Sequence, residues 1–153
     1  MMQIALYEPD IPQNTGTILR LGACLGVAVH IVGPAAFDSS ERNFRRAGLD
    51  YLDRVELTNH VSFATFDAWR REQGLRLVLL STKGDTTHVD FAFQAGDVLL
   101  CGRESAGVPE TVHAAADARL RIPMQPGLRS LNVAVAVSIV LGEALRQTGG
   151  FPR

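Results

Sequence analysis

Strand-like and helix-like segments alternate along almost the whole chain, and this alternation restricts the fold more than any other feature. Gln3–Tyr7 (QIALY) reads as a buried strand. Asn14 to Leu25 has helical spacing, with Asn14 or Thr15 as its cap and Gly26 near its end. Val27–Val32 is a second strand, stopped by Gly33 and Pro34. Ser40 to Leu49 reads as a helix with arginines on one side, and Arg54–Leu57 as a short strand. Phe63 to Gln73 is an amphipathic helix closed by Gly74. Strands Leu75–Leu80, Asp97–Cys101 and Arg119–Ile122 follow, with a helix from Pro109 to Ala116 before the last of them. A final helix, Leu131 to Gln147, ends at Gly149 and Gly150. Such a series predicts an α/β fold, a mostly parallel sheet with helices on both faces. Ligands of such sheets gather at the carboxyl ends of the strands. Four loops therefore stand out, those after Tyr7, Leu80, Cys101 and Ile122.

The chain's 153 residues suit one domain, and no repeat, linker or low-complexity tract divides it. Its longest apolar run, Leu131 to Leu145, is interrupted by Asn132, Ser138, Gly142 and Glu143, so no bilayer span is expected. The first residues lack the basic-then-apolar layout of a signal peptide, and a cytoplasmic location is the expectation. Cys24 and Cys101 form no CxxC pair and lie near no histidine at zinc-ligand spacing; both read as buried, reduced thiols, and no metal site is expected. His30, His60, His88 and His113 form no motif, and His30, inside a strand, reads as a packed residue.

A net charge of −1 argues against non-specific coating of a polyanion. The distribution of basic residues is more telling. Lys83 is the only lysine and reads as a solvated loop residue. Arg42, Arg45 and Arg46 fall in one short segment, with Arg54 nearby. A local basic patch on a near-neutral protein suits a specific nucleic-acid site, and the arginine fork grips phosphate in two places. An arginine bias can equally reflect genome composition.

Three stretches carry candidate chemistry. The first, EPDIPQNTGTILR, is stiffened by two prolines; Arg20 lies one helical turn beyond Gly16 and on its face, within reach of the same cleft. A surface arginine on an amphipathic helix is the plain structural alternative. The second, GDVLLCGRESAGVP, runs a buried strand into Gly102, Glu104 and Gly107, a tight loop whose amides could face a ligand or simply turn the chain. It lacks the GK(S/T) ending of a triphosphate loop and the GxGxxG of a dinucleotide site, which argues against a Rossmann oxidoreductase. In the third, RLRIPMQPGLRSLNVAVAVSIVLGEALRQ, prolines shape a rigid loop before a very apolar helix. Ser130 reads as that helix's cap, and Asn132 as a buried polar group in need of a partner. A helix apolar on nearly all sides must be covered all round, in part by a second subunit. No serine sits in a GxSxG elbow.

Taken in order, the three stretches resemble the SPOUT methyltransferases, and in particular the short tRNA (cytidine/uridine-34) 2'-O-methyltransferases. The first motif is similar over Asn14-Thr15-Gly16, Ile18 and Arg20; the second over Gly102, Glu104, Gly107 and Pro109; the third over Ile122-Pro123-Met124 and Arg129-Ser130-Leu131-Asn132. RRAGLDY, Arg45 to Tyr51, and LYEPDIPQNTG also match the short subgroup. The likeness covers nearly the whole chain, with no added RNA-binding domain.

This resemblance implies a C-terminal part tied in a deep trefoil knot, which general rules of chain topology would not suggest. It implies S-adenosylmethionine as cofactor, held largely through backbone groups at Leu80, Gly102, Ile122, Ser130 and Leu131. It also implies a homodimer with the RNA site across the interface, and methylation of the wobble ribose in the anticodon stem-loop of tRNA, with leucine tRNAs as expected substrates. Arg20, Glu104, Ser130 and Asn132 take the catalytic positions. Asn14, Arg20, Arg42, Arg45, Arg46 and Arg129 take the RNA-binding ones. Val135 and Gly142 stand where the short subgroup usually carries an asparagine and a tyrosine. Ribosomal RNA as acceptor, or a non-catalytic module that binds tRNA or cofactor, are the alternatives.

Overall fold

The computed structural model describes residues 1–37, 54–128 and 130–153. The helix expected at Ser40 to Leu49, the arginines 42, 45 and 46, and Arg129 lie outside the described residues.

The strands are β1 (Gln3–Tyr7), β2 (Ala28–Val32), β3 (Leu57–His60), β4 (Leu77–Leu80), β5 (Thr86–Thr87), β6 (Val98–Cys101) and β7 (Ala118–Arg121). They form one sheet in the order β3-β2-β1-β6-β4-β7-β5. Every described pairing is parallel. The helices are α1 (Pro12–Leu25), α2 (Phe63–Glu72), α3 (Glu110–Ala115) and α4 (Val133–Thr148). No described helix is long and apolar enough to cross a membrane.

Burial on both faces explains the strand sequences. In β1, Ile4 and Leu6 point to one side and Ala5 and Tyr7 to the other, as the pleat requires. The first side packs under α1 and α4, with Ile18, Leu19, Val137 and Leu141 sharing a core with Val29 and Leu99. The second packs against α2 and α3 through Phe66 and Val112. Each fully buried leucine or phenylalanine contributes about 1.5–3 kcal/mol. An ion pair secures the start of β4: Arg76 Nη2 lies 2.7 Å from the fully buried carboxylate of Asp97, just before β6.

Some local expectations need correction. Helix α1 begins at Pro12, with Ile11 in the cap position and no side-chain cap, so neither Asn14 nor Thr15 caps it. Proline at the first helical position lacks the N–H that a cap would satisfy and has its φ already set. The strand expected at Arg54–Leu57 lies later, at Leu57–His60, because its register with β2 pairs Val29 with Leu57 and Val32 with His60. Thr58 and Asn59 there are exposed, so an apolar pattern could not mark it. Strand β5 has only two residues, Thr86–Thr87, and periodicity gives no sign of it. Cys24 is exposed and Cys101 buried, so only the second fits the expectation for both.

His30 is packed as expected, but it has a partner. Its Nε2 donates to Gln3 Oε1 at 2.7 Å, which leaves Nδ1 to accept from His60 Nε2 at 2.9 Å. The pair ties β2 to β3 beneath Trp69 and Phe66. Burial, and then the neighbouring His60, push the His30 imidazole down to about 4. Burial lowers His60 as well.

Strand β7 lies between β4 and β5, two strands that precede it in the chain. Only residues 81–85 connect that earlier pair. This order is compatible with the C-terminal knot that the resemblance implies. The connection passes so close to β7 that a Cβ on Gly84 would meet Leu120 C at 2.5 Å and Arg121 N at 2.7 Å. Only glycine fits there.

Candidate active site

All four loops singled out from the strand pattern meet at one cleft of about 500 Å³. Ile11 and Asn14 come from the loop after β1 and the start of α1; Leu80 ends β4, and Ser81 and Thr82 follow it. The loop after β6 supplies Gly102, Arg103, Glu104 and Gly107, and Ile122 and Met124 come after β7. Ser130, Leu131 and Asn132, together with Ala136 and Val140 of α4, close the far side. The walls are largely apolar. Arg103 and Glu104 are the charged side chains among the described lining residues.

The third stretch is organised by Asn132. Its Oδ1 accepts from the N–H groups of Ala134 (2.8 Å) and Val135 (3.3 Å), so Asn132, and not Ser130, caps α4. Its Nδ2 donates to Asn14 Oδ1 at 3.1 Å, across 118 residues. The partner expected for Asn132 is therefore Asn14, although Asn132 is exposed and not buried. Ser130, freed from capping, is exposed on the cleft wall.

The second stretch is a closed turn. Arg103 and Gly107 exchange backbone hydrogen bonds of 3.0 and 2.8 Å, with Gly107 at φ +63°. A Cβ on Gly102 would come within 2.8 Å of Gly107. The amides of Arg103, Glu104 and Gly107 are thus taken up inside the protein and do not face a ligand. Glu104 is itself among the residues that line the cleft.

Glu104 is also bound to the first loop. Its Oε2 accepts from Asp10 N–H, its own N–H donates to Asp10 Oδ1 (both 3.2 Å), and Ser105 Oγ donates to Asp10 Oδ2. Burial, then the Asp10 carboxylate, raise the Glu104 carboxyl above its usual range. Asp10 shifts the opposite way, lowered by its hydrogen bond with the Glu104 side chain. Two adjacent carboxylates divide in this way because both cannot ionise freely. Sequence reasoning missed Asp10; its only trace was an acidic residue between two prolines.

Beside this contact the guanidinium of Arg103 stands 5.4 Å from the centre of the Tyr7 ring and 3.6 Å from Glu8 Oε1. Glu8 has φ +41°, the one positive value outside glycine among the described residues. Left-handed backbone at such a residue costs about 1–3 kcal/mol and tends to collect at functional sites. Burial pushes the Cys101 thiol under the cleft up to about 12, which makes it inert as a nucleophile.

Of the site residues expected from sequence, the cleft brings together Asn14, Leu80, Gly102, Glu104, Ile122, Ser130, Leu131 and Asn132. Arg20 is not among the lining residues; it is exposed on α1, whereas Gly16 is buried. Among the described residues, no cluster of three or more His, Cys, Asp or Glu could hold a metal ion.

Comparison with known proteins gives a consistent result. The sequence profile of the SpoU rRNA Methylase family matches residues 1–142. The tRNA (cytidine(34)-2'-O)-methyltransferase of Beijerinckia indica subsp. indica is 63% identical over 150 residues, covering 98% of this chain and 94% of that protein. A solved structure described as giving insight into the 2-OH methylation of C/U34 on tRNA superposes with a TM-score of 0.91 at 43% identity, covering 96% of this chain and 95% of that one. The SpoU methyltransferase AviRb from Streptomyces viridochromogenes, in complex with the cofactor AdoMet, superposes with a TM-score of 0.86 at 30% identity, covering 95% of this chain and 59% of that one.

Proposed function

Because the chain belongs to the SpoU rRNA Methylase family, we propose that it transfers a methyl group from S-adenosylmethionine to the ribose 2'-hydroxyl of nucleotide 34, a cytidine or modified uridine, in tRNA. The observation that carries this reading is the convergence of all three sequence motifs on one cleft.

The cleft suits the cofactor. Its volume of about 500 Å³ lies within the range of small-molecule sites. Leu79, Leu80, Ile122, Leu131 and Val140 offer an apolar surface for a flat base, and the Glu104 carboxylate offers a counter-charge for a sulfonium. When bound, the cofactor supplies a methyl group already activated by positively charged sulfur. The protein's task is then position, alignment and help with one proton.

Leu80, Gly102, Ile122, Ser130 and Leu131 hold the cofactor, mainly through the backbone. Glu104 favours the positive charge. Asn132, joined to Asn14, fixes the entrance where the ribose arrives. Arg20 grips a phosphate of the RNA and stabilises the alkoxide that develops as the 2'-hydroxyl loses its proton. Guanidinium is always protonated, so Arg20 does not itself take that proton. Arg42, Arg45, Arg46 and Arg129 bind the anticodon stem-loop.

The working unit is a homodimer. Leu128, Leu131, Val135 and Ile139 lie exposed at the start of α4 and the loop before it, with 70, 39, 48 and 40% of their surface open to solvent. A second copy covering this strip would build the RNA site across the interface and bring Arg20 of one copy into use. The enzyme works in the cytoplasm, where its substrate is, with leucine tRNAs as the expected acceptors.

The test is incubation of purified protein with tritiated S-adenosylmethionine and bulk tRNA or ribosomal RNA, with the label mapped by nuclease digestion. Label at the 2'-oxygen of nucleotide 34 is expected. Label confined to ribosomal RNA would overturn the substrate, and cofactor binding without any label would overturn the activity.

A further inference from the structure

Asp10 lies in the LYEPDIPQNTG stretch but carries none of the roles assigned above, yet it makes three hydrogen bonds to the loop that carries Glu104. Asp10 N–H donates to Glu104 Oε2 and Glu104 N–H donates to Asp10 Oδ1, both at 3.2 Å. Ser105 Oγ–H donates to Asp10 Oδ2. Each residue thus offers its backbone donor to the other's carboxylate, as in a helix capping box, but across 94 residues of sequence. The two loops leave neighbouring strands, β1 and β6. One leads through Ile11 into the helix of Asn14 and Arg20; the other forms the wall of the cleft.

Glu104 has little else to fix its carboxylate. Its loop is closed by the Arg103–Gly107 backbone pair, which holds the turn but not the side chain. Among the described residues, its carboxylate accepts from the Asp10 backbone N–H. That donor is backbone and survives a change of side chain; removal of the Asp10 carboxylate instead releases Glu104 N–H and Ser105 Oγ, the two groups by which the loop carrying Glu104 is tied to the first loop. We infer that Asp10 is a positioning residue: its carboxylate holds the backbone of Glu104 and the hydroxyl of Ser105, and so fixes the loop that carries Glu104 in register with the first loop and α1 behind it.

This inference rests on the methyltransferase reading above and adds Asp10 to it. Two physical consequences separate positioning from plain structural support. The first is geometric: an asparagine keeps an oxygen for the Glu104 amide and an amide group for Ser105, whereas an alanine keeps neither. The second is electrostatic: the Asp10 charge helps to raise the Glu104 carboxyl, after burial. Removal of that charge lets Glu104 ionise at lower pH. The other titratable groups facing Glu104 are Cys101 of β6, which stays a thiol, and Arg103 in its own loop.

The experiment measures S-adenosylmethionine binding by calorimetry, and kcat and KM against pH, for the wild type, Asp10→Ala, Asp10→Asn and Ser105→Ala. For Asp10→Ala, kcat/KM for the cofactor should fall by about 10- to 100-fold, the scale of a misplaced group. Asp10→Asn should recover most of that loss, with the acid limb of its pH–rate profile displaced to lower pH. Ser105→Ala, which removes one bond of three, should lie between wild type and Asp10→Ala. Constants for Asp10→Ala within about 2-fold of wild type would overturn the proposal. So would an Asp10→Asn profile with its acid limb unmoved, a readout that stands even if Asp10→Ala does not fold. A wild type that neither binds the cofactor nor transfers methyl would instead overturn the function on which the inference rests.

Discussion

Arg20 is the residue whose role is most directly open to test. It stands on the exposed side of α1, apart from the cleft that collects the other described site residues. A residue so placed should serve the RNA and not the cofactor. Arg20→Ala should therefore lower kcat by about 100- to 1,000-fold, the usual cost of a lost charge-stabilising donor, while cofactor affinity measured by calorimetry stays within about 3-fold. Arg20→Lys, which keeps the charge but loses the fork, should recover part of the rate. A single titration in the wild-type pH–rate profile that disappears in Arg20→Lys would mean that Arg20 governs proton removal, against the alkoxide role. At this scale the sequence was legible in part: Glu104, between two glycines, and Asn132, at the head of an apolar helix, stood out in their stretches and both line the cleft, but the roles assigned to them came from the family resemblance. It was silent where the role depends on a distant partner. Nothing near Asp10 in the chain reveals Glu104, and nothing near Asn132 reveals Asn14, because the sheet order brings them together.

Among the elements, long apolar strands and glycine-ended helices were readable within a residue or two. Strand β6 and helix α4 are examples, the latter ending at Gly149 with φ +65°. The edge strand β3 was displaced in the reading because it is half polar and takes its place from pairing with β2. That pairing carries a pH signature. In the unfolded chain His30 titrates near 6.5, whereas in the fold it is pushed down to about 4. Between these values the unfolded chain takes up a proton that the folded one refuses, so stability should fall as pH drops from about 6.5 to about 4. Above that window His30 adds no pH dependence. Melting temperatures across pH 4 to 7.5 would show this slope, and His30→Gln, which cannot titrate, should reduce it. An equally steep slope in the variant would place its origin elsewhere.

For the whole molecule, the proposed dimer is the property to test. The apolar strip begins within the cleft wall at Leu131, just before α4, and continues along that helix to Ile139. Val135→Glu or Ile139→Glu should weaken self-association by about 30-fold or more, as expected for central interface positions. Analytical ultracentrifugation would read this directly, with circular dichroism showing the fold intact. A wild type that sediments as a single 16.6 kDa chain at every concentration would remove the dimer from the account.

The cleft draws Ile11 and Asn14 from the beginning of the chain and Ser130 to Val140 from near its end, with β7 already seated against Gly84 between them. Every wall of the cleft lies between Ile11 and Val140, and the two ends of that span face one another across it. A fragment that stops short of Val140 lacks part of the wall, so uptake of a ligand there should wait until synthesis has passed that point.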